Sequence, residues 1–183
     1  MSTTRTIDKQ EGLRDAAGYG RIDDVRKYLN DGTVDVNGKG GCFGWTALHW
    51  ASWNGHDNIG ELLLDNGADI DALTYNETPL ILACDKGRHA SFTKLLLNRG
   101  CAVDATDDDG DTALHHACWR GSTQCVKELL AHGADTHMKN NDGDTPLDVA
   151  KDSKGMTQIQ EEQKAMTRNL EQMNQSVITD AGI

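Results

Sequence analysis

Four short segments recur along this chain: Thr46-Ala47-Leu48-His49-Trp50-Ala51, Thr78-Pro79-Leu80-Ile81-Leu82-Ala83, Thr112-Ala113-Leu114-His115-His116-Ala117 and Thr145-Pro146-Leu147-Asp148-Val149-Ala150. Their starts are 32, 34 and 33 residues apart. A second marker, Leu-Leu-x-x-Gly, ends at Gly67, Gly100 and Gly133, spaced 33 residues each time. A period in this range is the signature of a solenoid, in which each unit buries its apolar face only by stacking on its neighbours. Such a stack brings no catalytic pocket with it, but it offers a long surface.

The residues inside the period define helix pairs. Thr46, Thr78, Thr112 and Thr145 each precede an apolar run, where a hydroxyl caps a helix N-terminus. The only two prolines, Pro79 and Pro146, directly follow a capping Thr, the one helical position that loses nothing with the N–H. Gly55, Gly87 and Gly121 fit a left-handed stop after each first helix, and Gly67, Gly100 and Gly133 after each second helix. Gly110 and Gly143 follow Asp where a tight finger turn needs positive φ, and Asn76 takes this place in the third repeat. Leu48, Leu80, Leu114 and Leu147 form the expected core with Ile59, Phe92 and Cys125. Ala51, Ala83, Ala117 and Ala150 are small where two helices meet.

These motifs resemble the ankyrin repeat family, with its T-P-L-H-x-A-x-x-x-G and L-L-x-x-G-A pattern, over roughly residues 11 to 152. The resemblance implies an all-α repeat solenoid of antiparallel helix pairs joined by projecting β-hairpin fingers, and a role in binding other proteins. Repeats are expected at about 10–43, 44–76, 77–109 and 110–142, with a partial one at 143–155. Residues 1–9 are expected to be flexible. The first repeat is degenerate: Glu11 and Gly12 stand where Thr and Pro would be. In the third, the finger is one residue short and the inter-helix turn one residue long. After the last Thr-Pro-Leu, Met156, Ile159, Gln163, Met166, Leu170, Met173 and Val177 make a helical stripe. It predicts a C-terminal helix over 156–177, either capping the stack or offering a weak seam for a partner or for self-association. Residues 178–183 are expected to be a disordered tail.

Composition narrows the partner. The net charge of −11 argues against nucleic acid and anionic membrane, since both need basic surface. No stretch has the apolar length of a membrane span, and the first residues lack the apolar core of a signal peptide. Five cysteines without framework spacing read as reduced thiols in the cytoplasm, with the nucleus as an alternative. Cys84 and Cys118 share a repeat position with Ser52 and read as small packing residues.

Candidate chemistry is thin. His49 and His115 hold the position where the family's histidine bonds the Thr and nearby backbone. His115 and His116 are adjacent on a helix and point about 100° apart, too far to share one ion easily. Asp107-Asp108-Asp109-Gly110-Asp111 lacks the ligand spacing of a calcium loop and reads as a solvated finger tip. No nucleophile has a paired base. No catalytic residue, cofactor or metal is expected.

The resemblance places a concave surface on the fingers and on the end of each first helix. There the chain carries Phe43, Trp45 and Trp53 in repeat two and Tyr75 in repeat three. Asp108, Asp109, Asp111, Trp119 and Arg120 follow in repeat four, then Asp142 and Asp144 in repeat five. Three of the four tryptophans fall here in a chain only 5% aromatic. Exposed aromatics on a rigid scaffold are typical binding anchors. The alternative is that Trp45 and Trp53 fold down onto neighbouring fingers and cover their helices. Trp50 reads as partly buried packing. The face is therefore graded, aromatic in repeats two to four and acidic in the fingers of four and five. It predicts a monomeric, non-enzymatic adaptor for a basic or apolar-basic protein segment. An inhibitor that occludes an enzyme or transcription factor is the alternative, and a metal-dependent enzyme a distant third. Asn37, eight residues after Leu29, also looks like the asparagine that an oxygen-dependent hydroxylase modifies in such repeats.

Overall fold

A computed structural model describes residues 8–74, 77–87 and 89–150. Its helices come in pairs: α1 (Lys9–Gly18) with α2 (Ile22–Asn30), α3 (Ala47–Asn54) with α4 (Asp57–Asp65), α5 (Pro79–Asp85) with α6 (Ala90–Asn98), and α7 (Ala113–Trp119) with α8 (Thr123–Ala131). A short α9 (Pro146–Val149) opens the fifth unit. The first helices pack in one column, α1 on α3 on α5 on α7 on α9, and the second helices in another, α2 on α4 on α6 on α8. Among the described residues there are no β-strands. The fingers are held by single antiparallel bridges, Gly40 with Trp45, Thr74 with Glu77 and Thr106 with Thr112.

The caps form as the sequence dictates. Thr46, Thr78, Thr112 and Thr145 are extended N-caps whose hydroxyls accept the N–H three residues on. Each such cap is worth about 1 kcal/mol. In α3 the ring of His49 completes the box: its Nδ1 accepts from Thr46 N–H at 3.3 Å and from the Thr46 hydroxyl at 2.7 Å. Its Nε2–H then donates to the Glu77 carbonyl, 3.1 Å away in the next finger. His115 repeats the arrangement, with Thr112 at one nitrogen and the Asp144 carbonyl at the other, also 3.1 Å. Each ring thus caps its own helix and ties it to the following repeat. Gly55, Gly87 and Gly121 have φ of 70°, 63° and 66°, the left-handed stops the spacing requires.

The core is continuous along the stack. Leu13, Leu48, Ile59, Leu80, Phe92, Leu114 and Leu129 have essentially no exposed surface. Each buried Leu, Ile or Phe contributes on the order of 2 kcal/mol, which isolated helices of this length need. Ala51, Ala83, Ala117 and Ala150 are fully buried where first helices meet. Cys84, Cys118 and Cys125 are buried small residues, and Thr93 bridges Cys84 and Cys125 with Oγ1–Sγ distances of 3.7 Å. Burial pushes the Cys118 thiol up to about 12, which keeps it inert.

The first repeat departs from the sequence expectation. Its helix starts at Lys9 with Asp8 as the cap, whose carboxylate accepts from Gln10 N–H at 3.1 Å. Asp8 and Lys9 therefore belong to the folded stack, and Lys9 pairs with Asp31 at 2.8 Å. Gly12 does not replace a capping residue. It lies buried within the helix, where a Cβ would come within 2.4 Å of the Tyr28 hydroxyl. The expected C-terminal helix over 156–177 and the tail beyond it lie outside the described residues, as do residues 1–7.

Candidate partner-binding surface

The ends of the first helices and the fingers form one side of the stack. In repeat two the aromatic residues gather into a cluster. The Trp45 ring lies 4.8 Å from Trp50 in an edge-to-face arrangement, 5.4 Å from Trp53 and 5.2 Å from Phe43. Trp45 itself is only 5% exposed, which corrects the expectation that it stands free on the surface. The Gly40–Trp45 bridge turns the finger back over α3, and the indole settles parallel to the His49 ring. Its Nε1–H is buried without a hydrogen-bond acceptor, among ring neighbours. Trp53 is half-buried, and its face carries the ammonium of Lys86 at 3.3 Å from the ring centroid. Phe43 remains 50% exposed. Trp50 is half-buried, as its repeat position suggests. Tyr75 lies outside the described residues.

A cleft of about 200 Å³ opens beside this cluster, between Tyr19, Trp50 and Trp53. Tyr19 is a residue the sequence reading missed. The degenerate first repeat hid that it stands at the end of α1, as Asn54 stands at the end of α3.

The other end of the curve is charged. Asp109, Asp111, Trp119, Asp142 and Asp144, all among the positions that the family resemblance assigns to the inner face, line a single cleft of about 350 Å³. Trp119 is 56% exposed. Two fingers build the walls, joined by Asn140 Nδ2 donating to Asp111 Oδ1 at 2.8 Å and Asn141 N–H donating to the Asp109 carbonyl at 2.9 Å. Asp108 does not join the cleft; its carbonyl accepts from Asn141 Nδ2 at 2.8 Å. Arg120 lies next to it, with its guanidinium carbon 4.1 Å from the Trp119 ring centroid. The same guanidinium holds Asp85 of the preceding repeat through Nε at 3.1 Å and Nη2 at 2.9 Å.

His116 links these elements. It stands where Trp50, Leu82 and Val149 stand in other repeats. Its Nδ1 lies 3.3 Å from Asp85 Oδ1 and its Nε2 2.8 Å from Asp107 Oδ2. Burial works to lower the His116 pKa, but the bonds to Asp85 and Asp107 overcome it and raise it above the ordinary value. His116 in turn holds the Asp85 carboxyl low against its own burial, with help from Arg120. His115 and His116 thus serve different partners. Asp107, Asp111 and His116 offer ligand atoms all within 4.8 Å of one another, a spacing that a divalent cation fits. In this arrangement Asp107 Oδ2 bonds His116 Nε2, Asp107 Oδ1 accepts from Asp111 N–H, and Asp111 Oδ1 accepts from Asn140 Nδ2.

Asn37 is engaged rather than free. Its amide donates to the Gly67 carbonyl at 3.1 Å, and its Oδ1 accepts from Asp69 N–H at 2.7 Å. Asp71 and Asp104 accept similar backbone bonds from Ala102 and Asp135, so this position joins successive repeats.

Among the described residues no helix is long and apolar enough to cross a membrane. A family model for ankyrin repeats (3 copies) matches residues 6–74 and 80–159. The tyrosine-protein kinase HTK16 of Hydra vulgaris is 38% identical over 131 residues, which are 69% of this chain and 17% of that protein. The B-cell lymphoma 3 protein homolog of Mus musculus is 38% identical over 144 residues, 77% of this chain and 29% of that protein. Ankyrin repeat domain-containing protein 40 of Mus musculus is 45% identical over 67 residues, 37% of this chain and 18% of that protein. The chain thus spans less than a third of the length of these relatives. The repeat period, the Thr caps with their His boxes, the paired helices and the family match agree: this chain belongs to the ankyrin repeat family.

Proposed function

We propose that this chain binds a segment of another protein along its inner curve, apolar side chains toward repeat two and basic side chains toward repeats four and five. Ankyrin repeats are protein-interaction modules. The finer reading rests on one observation: Trp119, 56% exposed, shares a cleft with Asp109, Asp111, Asp142 and Asp144. An indole left open beside four carboxylates contributes little to stacking and suits an apolar stem that ends in a cation. The net charge of −11 gives the encounter the same preference. The exposed Phe43 and the cleft beside Tyr19, Trp50 and Trp53 serve the apolar end. In this reading the chain is a non-enzymatic adaptor, and five cysteines without a framework spacing suit the cytoplasm.

The test is affinity purification of bound proteins with the wild-type chain and with the Trp53→Ala/Trp119→Ala variant, alongside thermal melting of both. The expected result is loss of the recovered partner with little change in melting temperature. A partner retained in full by the variant refutes the reading. Association should also slow as salt rises past the range where charges a Debye length apart still attract, about 8 Å at physiological ionic strength. A rate indifferent to salt removes the electrostatic half.

A further inference from the structure

Among the described residues, two helix ends carry cations at equivalent positions. Trp53, Asp85 and Trp119 hold the same position in successive repeats, and Asn54, Lys86 and Arg120 hold the next. Each cation leans back onto the preceding repeat. Lys86 sets its ammonium 3.3 Å from the centroid of Trp53. Arg120 reaches back to Asp85 with two nitrogens, at 3.1 and 2.9 Å, while its guanidinium lies over Trp119. The next position in register is Ser153, which has no charge. Trp119 itself lines a cleft with Asp109, Asp111, Asp142 and Asp144.

We infer that this cleft receives one arginine side chain of the partner segment. This rests on the proposal that the inner curve binds a protein. The molecule already shows the chemistry: Arg120 is held between an indole and a carboxylate with fork geometry. A guanidinium is planar and stacks on the ring, and its N–H groups reach two carboxylates at once, which a lysine ammonium cannot match. The four surrounding carboxylates lie on two separate fingers, so an arginine entering from the open side bonds both.

The probe is N-acetyl-arginine amide, titrated into the full-length ¹⁵N-labelled chain while the Trp119 indole N–H resonance, assigned through Trp119→Phe, is followed. A saturating shift is expected. N-acetyl-citrulline amide, the same shape without the charge, should bind about tenfold more weakly. Asp142→Asn/Asp144→Asn should remove the shift while the rest of the spectrum stays that of the folded wild type. Equal shifts with citrulline, a shift that survives the double variant, or no shift at all overturns the inference. If the arginine probe fails while Trp53→Ala/Trp119→Ala still loses the partner, the inference about the cleft falls and the binding face stands. If the double-tryptophan variant keeps the partner, both fall.

Discussion

Repeats two and four hold equivalent positions with opposite chemistry. Trp45, Trp50 and Trp53 in repeat two correspond to Asp111, His116 and Trp119 in repeat four. The backbone is the same in both: a Thr cap completed by a histidine ring, then a short helix ended by a glycine. In repeat two the three indoles turn on one another, and Trp45 is buried. In repeat four His116 reaches across repeats to Asp85 and Asp107, and Trp119 stays open. Helix pairs and caps specify the repeat, and the finger and helix ends accept either filling. The difference lies in what is left over. The aromatic cluster satisfies most of its own surface, whereas the acidic cleft keeps carboxylates and an indole facing outward.

Truncating the same position in both repeats should give the largest difference between them. Trp45→Ala should lower the unfolding free energy by about 3–5 kcal/mol, the usual cost of emptying a buried aromatic site. Asp111→Ala should cost less than about 1 kcal/mol, since its carboxylate is half-exposed and bonds mainly Asn140. Urea unfolding of both variants measures this directly. Similar losses would mean that the two fingers bear equal structural weight.

Acid should separate the two repeats by sign. Burial lowers the pKa of His49 to about 4, so its ring is neutral when folded. Stability from that group is complete above the unfolded value of about 6.5 and falls as pH drops from there toward 4, by on the order of 3 kcal/mol. His116 is shifted the other way: its contribution is complete below about 6.5 and is lost as pH rises through its raised folded value. The pH dependence of unfolding in His49→Gln and His116→Gln checks both slopes. The first variant should lose acid sensitivity, and the second should lose the decline toward alkaline pH. Matching profiles in the two variants would remove the contrast.

Much of this was legible because it is local. The Thr caps, the proline positions and the glycine stops involve bonds that span three or four residues, and each formed where the spacing put it. The five residues of the acidic cleft were legible because the family resemblance assigns their positions to one face, and register carries that assignment straight through a stack. Three features needed the third dimension. The start of α1 was misread because Asp8 caps it from three residues outside the Thr-Pro position. The burial of Trp45 depends on how the Gly40–Trp45 bridge tilts the finger, which no repeat position encodes. The His116 network joins residues from two repeats and a finger, while its equivalents in other repeats are Trp, Leu and Val.

Smaller effects refine the account. Thr112→Ala should cost about 1 kcal/mol through the lost cap. Trp119→Ala should stay within about 0.5 kcal/mol of wild type, because an exposed helix end bears little packing. A larger loss at Trp119 than at Thr112, read from urea midpoints, would place this indole among the structural residues of the stack.

If the partner docks on the fingers and the ends of the first helices and on no other face, amide protection falls there alone. Hydrogen–deuterium exchange of the chain with and without its recovered partner measures that directly. Protection is expected at the fingers around Gly40–Trp45 and Asp107–Asp111 and at the ends of α3 and α7. Protection confined to the outer helices α2, α4, α6 and α8, with the fingers exchanging as in the free chain, would contradict it.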